Sequence, residues 1–219
     1  MFEAIILDRD GVLTYFDMAP AIAYFEPLLG IPIEELERLW WQWRDPAAAP
    51  TTLNEEQLLF GGFWDSLVDE LALSAEQREQ LHQFDYTTVV RAYPDARPAL
   101  LATRQRGLKI GVLSNFELAS LDASLVAAGL ADLIDVACAA PVIGVAKPAP
   151  EAYLTVARAL SVHPQNCLYF DDELSWVEGA RAVGMQAYIV DRDHTRHDLA
   201  QGSVCDLSAI TDLLAVTYP

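Results

Sequence analysis

Two carboxylates one residue apart, Asp8 and Asp10, stand at the end of the apolar run Ala4–Leu7 and directly before Gly11. Like charges that close do not both ionise cheaply away from water, and a cation between them removes the cost. A site with few carboxylates suits Mg2+, which keeps several of its waters. Such acids can also attack an electrophile or carry a proton. Two plainer readings compete. Asp10-Gly11 between apolar runs makes a good two-residue hairpin turn, which can coexist with chemistry. A calcium loop also starts Asp-x-Asp, but Val12 and Ala19 stand where later oxygen ligands are needed, so that reading fails.

The elements that must position these acids follow from the hydrophobic pattern. Short apolar runs at 4–8, 109–113, 134–138, 167–171 and 187–190 suit strands buried on both faces of a parallel sheet. Between them Leu118, Leu121 and Leu125, then Tyr153, Val156 and Leu160, then Trp176, Ala180 and Val183 recur at helical spacing, and Gly184 stops the last of these helices. Strands alternating with helices predict an α/β fold, a Rossmann-like doubly wound parallel sheet whose ligand crevice lies at the carboxyl ends of the strands.

Four groups then fall at one edge. Asp8 ends the first strand, and continued extension puts Asp8 and Asp10 on one side with Arg9 opposed. The second strand ends in Ser114-Asn115 and is expected to open a helix there, turning a hydroxyl and free backbone N–H groups toward an anion. Lys147, in GVAKPAP, precedes a proline-started helix, and the fourth strand ends in Asp171-Asp172.

A simple crossover between parallel strands needs about a dozen residues, yet the second strand comes only at 109–113. Residues 15–91 therefore read as an inserted helical cap on a core made of 1–14 and 92–219. Leu36, Trp40 and Trp43 share a helical face, TTLNEEQ offers an N-cap with acidic residues behind it, and Ser74 with Gln77 resembles a capping box. The stretch 45–50 reads as a loop between cap helices. Spacing makes Trp40, Trp43 and Trp64 core, whereas Trp41 and Arg44, off that face, are the candidates to meet a substrate. The run 191–198, with His194 and His197, reads as a solvated loop, since its spacing fits no zinc pattern.

Bulk properties narrow the partners. The 219 residues are 53% hydrophobic, enough for a sizeable core, and carry a formal charge of −18. That field repels nucleic acid and anionic lipid, so an anionic substrate needs a local nest of positive charge. No basic leader precedes Asp8, and no segment approaches the about 20 apolar residues of a membrane span. Cys138, Cys167 and Cys205 are odd in number, with no CxxC pair, which fits reduced thiols in the cytoplasm.

The segments DRDGVL, VLSN, KPAPEAY and YFDDELSWVEGARAVGM, in that order, resemble the four motifs of the haloacid dehalogenase superfamily, in its capped phosphatase branch (subfamily IA, with the helical type of cap). The resemblance covers the whole core. It implies a Mg2+-dependent phosphatase acting on a small phosphorylated metabolite, a sugar phosphate or similar, through an aspartyl-phosphate on Asp8. Asp10 would be the acid and base. Asp8, the main-chain carbonyl of Asp10, and Asp172 would hold the metal, with Asp171 beside it. Ser114, the Asn115 backbone and Lys147 would hold the phosphoryl oxygens. The dehalogenase members lack the second aspartate of the first motif, so Asp10 argues against carbon–halogen hydrolysis. Glu173 and Trp176 replace the Ser and the Asn or Asp that many relatives carry. A phosphotransferase or mutase of the same family, and a catalytically silent ligand-binding protein, are the alternatives. Neither substrate nor oligomeric state is fixed by these motifs.

Overall fold

The computed structural model describes residues 1–45 and 48–217; Pro46 and Ala47, in the expected loop at 45–50, lie outside them. Six parallel strands form the central sheet: β1 (Ala4–Leu7), β4 (Lys109–Ser114), β5 (Val136–Ala139), β6 (Cys167–Asp171), β7 (Gln186–Val190) and β8 (Ser203–Val204). They lie in the order β5-β4-β1-β6-β7-β8. The chain therefore winds outward from β1 through β4 and β5, then crosses back to β6 and winds the other way. The strand order reverses at β1, the place where a doubly wound sheet opens its crevice.

Both faces of the sheet are covered, which is why its strands are apolar throughout. Along β1, Ile5 and Leu7 enter one core with Leu100, Ile110, Leu125, Phe170 and Leu214, beneath α5 (Ala96–Gln105), α6 (Leu121–Ala127) and α10 (Ala209–Thr217). Ala4 and Ile6 enter the opposite core with Tyr153, Val156, Tyr169 and Val177, beneath α8 (Pro150–Leu160) and α9 (Leu174–Ala182). A four-residue helix, α7 (Ala140–Ile143), follows β5. The period-2 alternation of each strand thus divides its side chains between two helical layers.

A two-stranded antiparallel ribbon, β2 (Thr14–Phe16) against β3 (Val90–Ala92), stands at the crevice edge. Between its strands run α1 (Met18–Leu29), α2 (Ile33–Trp43), α3 (Leu53–Glu70) and α4 (Ala75–Gln83). They enclose a third apolar cluster around Phe25, Leu36, Phe63, Trp64, Leu67 and Leu81. Thr52 caps α3 by accepting from the Glu55 amide, and Ser74 with Gln77 makes the reciprocal capping box of α4. Glu56, buried on α3, reaches out of the helical layer to Ser120, accepting from its amide at 2.8 Å and from its hydroxyl at 2.5 Å.

Two expectations are corrected. Trp43 is 38% exposed, because α2 turns Ile33, Leu36 and Leu39 inward and its last turn runs past that cluster. The helix after β4 begins at Leu121, not at Ser114-Asn115, and Leu118 is buried in the preceding loop. The Ser120 hydroxyl and amide are bound by Glu56, and Asn115 is tied to the Lys147 segment, so the chain between them spans the crevice mouth as loop.

Candidate active site

β1 ends at Leu7, and the Asp8 amide donates to the Phe170 carbonyl at 2.9 Å, which holds Asp8 in line beside β6. The chain then turns at once. The Arg9 carbonyl accepts from both the Leu13 and Thr14 amides, at 2.8 and 2.7 Å, and Gly11 sits inside that turn at φ +72°. A side chain at Gly11 would be strained by that φ, and its Cβ would overlap the Asp172 carboxylate. Gly11→Ala is accordingly expected to cost about 1–3 kcal/mol and to lower the melting temperature by several degrees. A thermal melt superimposed on the native one would show that the turn adapts.

The turn defeats the simple alternation expected for Asp8-Arg9-Asp10. Arg9 does not oppose the acids: its guanidinium pairs with the Asp10 carboxylate, donates to Ser124 Oγ at 3.0 Å and lies 3.5 Å over the Phe116 ring. The side chain is fully buried. Thr14 Oγ1 donates to the other Asp10 oxygen at 3.3 Å. Asp10 thus faces the cleft with its orientation set from two sides.

Lys147 is buried behind Asp8, its Nζ 2.9 Å from Asp8 Oδ1 and 2.8 Å from Asp171 Oδ2. Its backbone is clipped to Asn115, whose side chain donates to the Lys147 carbonyl and accepts from the Lys147 amide, at 2.9 and 2.8 Å. The Asn115 side chain is therefore occupied, leaving its backbone for a ligand. Ser114, buried at the end of β4, accepts from the Phe116 amide at 3.1 Å and keeps its own proton to donate. Trp176 closes the far side of Lys147, which lies 4.2 Å over the indole.

Asp171 is the most completely satisfied acid. Lys147 and the Tyr169 hydroxyl donate to one of its oxygens and the Glu173 amide to the other. Tyr169 was not legible as a site residue, although its place two residues before Asp171 puts it on the same side of β6. Burial pushes the Asp8 carboxyl up to about 7 against the pull of Lys147, and the charge of Asp171 adds to the rise. Asp172 is also raised, first by loss of water and then by Asp171. Burial, with Asp171 and Asp8 behind it, holds the Tyr169 hydroxyl well above its usual value, so it donates and stays neutral.

The donor set fits a hard divalent cation. Asp8, Asp171 and Asp172 each bring a carboxylate oxygen to within 4.8 Å of one another. Asp8 Oδ1 is buried without an aligned hydrogen-bond donor, despite the nearness of Lys147. Three crowded acids with a single ammonium between them are a stable arrangement once a cation is added.

From these groups a cleft of ≈ 600 Å³ runs outward between the sheet edge and the helical layer. Asp8, Asp10, Ser114, Asn115 and Asp172 line its inner end, and Trp41 and Arg44 its outer part. Trp40, Phe16, Phe116 and Trp176 line it too; sequence spacing assigned Trp40 to the core alone, and it serves both. The 191–198 loop adds no lining residue to it but braces its edge, because the Arg192 guanidinium donates to the Gly11 and Val12 carbonyls at 2.9 and 2.6 Å; His194 pairs with Asp191 at 2.8 Å, and His197 packs against Cys205 and Ser208.

Comparison with known proteins agrees with the fold and the motif order. A model of the haloacid dehalogenase-like hydrolases matches residues 2–184. Phosphatase MT3486 of Mycobacterium tuberculosis (strain CDC 1551 / Oshkosh) is 44% identical over 213 residues, 97% of this chain and 96% of that protein. Protein CbbY of Rhodobacter capsulatus is 25% identical over 94% of each chain. Among solved structures, 2-haloacid dehalogenase from Pseudomonas syringae pv. Tomato DC3000 superimposes with a TM-score of 0.69 at 23% identity, covering 99% of this chain and 100% of that one. That structural likeness concerns the fold, whereas the family match spans all four motifs. The chain belongs to the haloacid dehalogenase-like hydrolases.

Proposed function

We propose that this hydrolase is a Mg2+-dependent phosphomonoesterase that works on a small phosphorylated metabolite through an aspartyl-phosphate. The observation that carries the reading is a buried Asp8 at the strand-order reversal, with Lys147 2.9 Å away and Asp10 held over the same cleft. The phosphatase name of the 44% identical relative agrees with it. Three free thiols favour the cytoplasm as its place of work.

In the first step an Asp8 carboxylate oxygen attacks phosphorus, the ester P–O bond breaks, and Asp10 gives its proton to the leaving oxygen. In the second, Asp10 takes a proton from water as that water attacks phosphorus. The bond to Asp8 then breaks and inorganic phosphate departs. Lys147 favours the ionised, attacking form of Asp8, and with the Ser114 hydroxyl and the Asn115 backbone N–H it holds the phosphoryl oxygens as charge develops on them. Arg9 and Thr14 keep Asp10 aimed at the leaving oxygen. Asp8, Asp172 and the Asp10 carbonyl would hold Mg2+, with Asp171 braced behind them by its three donors. Bound there, the ion supplies positive charge to the phosphoryl oxygens. Residues 15–91 serve as a cap that limits water at the reacting phosphorus.

Phosphate release from an aryl phosphate tests this directly. Turnover is expected with Mg2+, none in excess chelator, and recovery when Mg2+ is restored. Turnover indifferent to the chelator would remove the metal from the scheme. Failure with aryl, sugar and nucleotide phosphates alike would overturn the hydrolytic reading in favour of ligand binding without chemistry.

A further inference from the structure

Beyond its inner end the cleft is made of apolar surface. Phe16 comes from the ribbon, Trp40 and Trp41 from α2, Leu59 from α3, Phe116 from the loop after β4 and Trp176 from α9. These belong to five separate segments, so the aromatic lining is not the buried stripe of a single helix.

Several of the polar groups among them are engaged with one another or with backbone. Arg44 pairs with Glu117, lies 4.0 Å over the Trp41 ring and has its Nε buried without a partner. Asn115 spends both ends of its amide on the Lys147 backbone. Glu173, Asp45 and Glu117, also on the wall, are acids. A polyol body in this space would set most of its hydroxyls against rings, beyond the few that the wall carboxylates accept from, and each buried hydroxyl without a partner weakens binding. A second anionic group on the substrate would meet carboxylates.

We infer that the leaving group is an uncharged aromatic or alkyl body, so that the substrate is a monophosphate ester of an apolar alcohol and not a sugar phosphate. The inference rests on the phosphomonoesterase reading above and names the substrate class of that site. The phosphate enters first, toward Asp8, Ser114 and Lys147. The organic part then lies between Trp40 and Trp41 on one wall and Phe116 and Trp176 on the other, where apolar surface leaves water and rings meet rings. The cleft volume of ≈ 600 Å³ falls within the range of small-molecule sites and exceeds what a phosphate alone would fill.

The test compares 2-phenylethyl phosphate with glucose 6-phosphate. Both are esters of primary alcohols, so leaving-group acidity does not decide the result. The expected kcat/KM is roughly 10- to 100-fold higher for the phenylethyl ester, with most of the difference in KM. In Trp41→Ala the ratio of the two kcat/KM values is expected to fall by about tenfold. Equal or better turnover of glucose 6-phosphate would overturn the apolar assignment and leave the phosphomonoesterase reading intact. Where neither ester nor the aryl phosphate is hydrolysed, that reading fails, and the lining is judged by binding alone. Tryptophan fluorescence would then follow titration with 2-phenylethylphosphonate against the phosphonate analogue of glucose 6-phosphate. Tighter binding of the first supports an apolar cleft, and equal or weaker binding overturns it.

Discussion

Asp8→Asn is expected to abolish phosphate release, by about three orders of magnitude or more, while the protein remains folded. The amide keeps the size of the carboxylate and its backbone tie to Phe170, but its oxygen is a poor nucleophile toward phosphorus. Stability should move in the opposite direction from activity. Burial lifts the Asp8 carboxyl from its ordinary 3.8 to about 7, so the folded state holds this proton more tightly than the unfolded one. By linkage, the contribution of Asp8 to stability is fully present below about pH 4. It is lost as pH rises through about 7. The metal-free native protein at pH 8 therefore carries the full cost of an ionised Asp8 facing Asp171, and the Asn variant does not. Thermal melts in chelator should show the variant equal to or above the native protein at pH 8, with the gap closing toward pH 5. Phosphate release within tenfold of native would remove Asp8 from the chemistry. A variant less stable at pH 8 than at pH 5, relative to native, would show that the carboxylate is not strained.

The parts of this arrangement that could be read in the sequence are those set by local pattern. Runs such as Ala4–Leu7 and Cys167–Asp171 announce strands buried on both faces, and each delivers its acid to the same edge because parallel strands share a carboxyl end. The N-cap of α3 and the capping box of α4 were equally legible, since both are made within four residues. What escaped depends on distant partners. Strands β2 and β3 have only three residues each and pair across the whole helical insert, so neither carries a pattern of its own. Arg9 points away from its expected side because the turn at Gly11 replaces extended backbone, and because Ser124 and Phe116 accept its guanidinium from far along the chain. The delayed start of α6 follows from Glu56 binding Ser120, a bond between elements whose approach no helical period reveals. The apolar lining of the cleft belongs to the same class. Trp40 satisfies the spacing of a core residue and yet also lines the cleft to which Trp176 contributes from α9.

Lys147→Met separates the two roles of the lysine, because methionine keeps much of the apolar stem against Trp176 and deletes only the charge. In the native protein one ammonium group stands between Asp8 and Asp171, and both it and the acids are out of water. Removing one member of a buried ionic cluster costs about 3–5 kcal/mol, since the remaining charges lose their partner without regaining solvent. For a chain of this length the melting temperature should fall by on the order of 10 °C. The loss has a direction in pH. Lys147 is what holds Asp8 down against burial and against Asp171, so without it the carboxyl rises further and is relieved by taking up a proton. Destabilisation should therefore be greatest above pH 7 and should shrink as the pH is lowered toward 5. Millimolar Mg2+ should recover part of the loss at pH 8 if the three acids accept the ion in place of the ammonium. Turnover should drop by about 100- to 1,000-fold even where the fold is intact, because a charge aimed at the phosphoryl oxygens has gone. A melting temperature that falls equally at every pH would assign the loss to packing, and the lysine would no longer account for how two buried acids coexist at the end of β1 and β6.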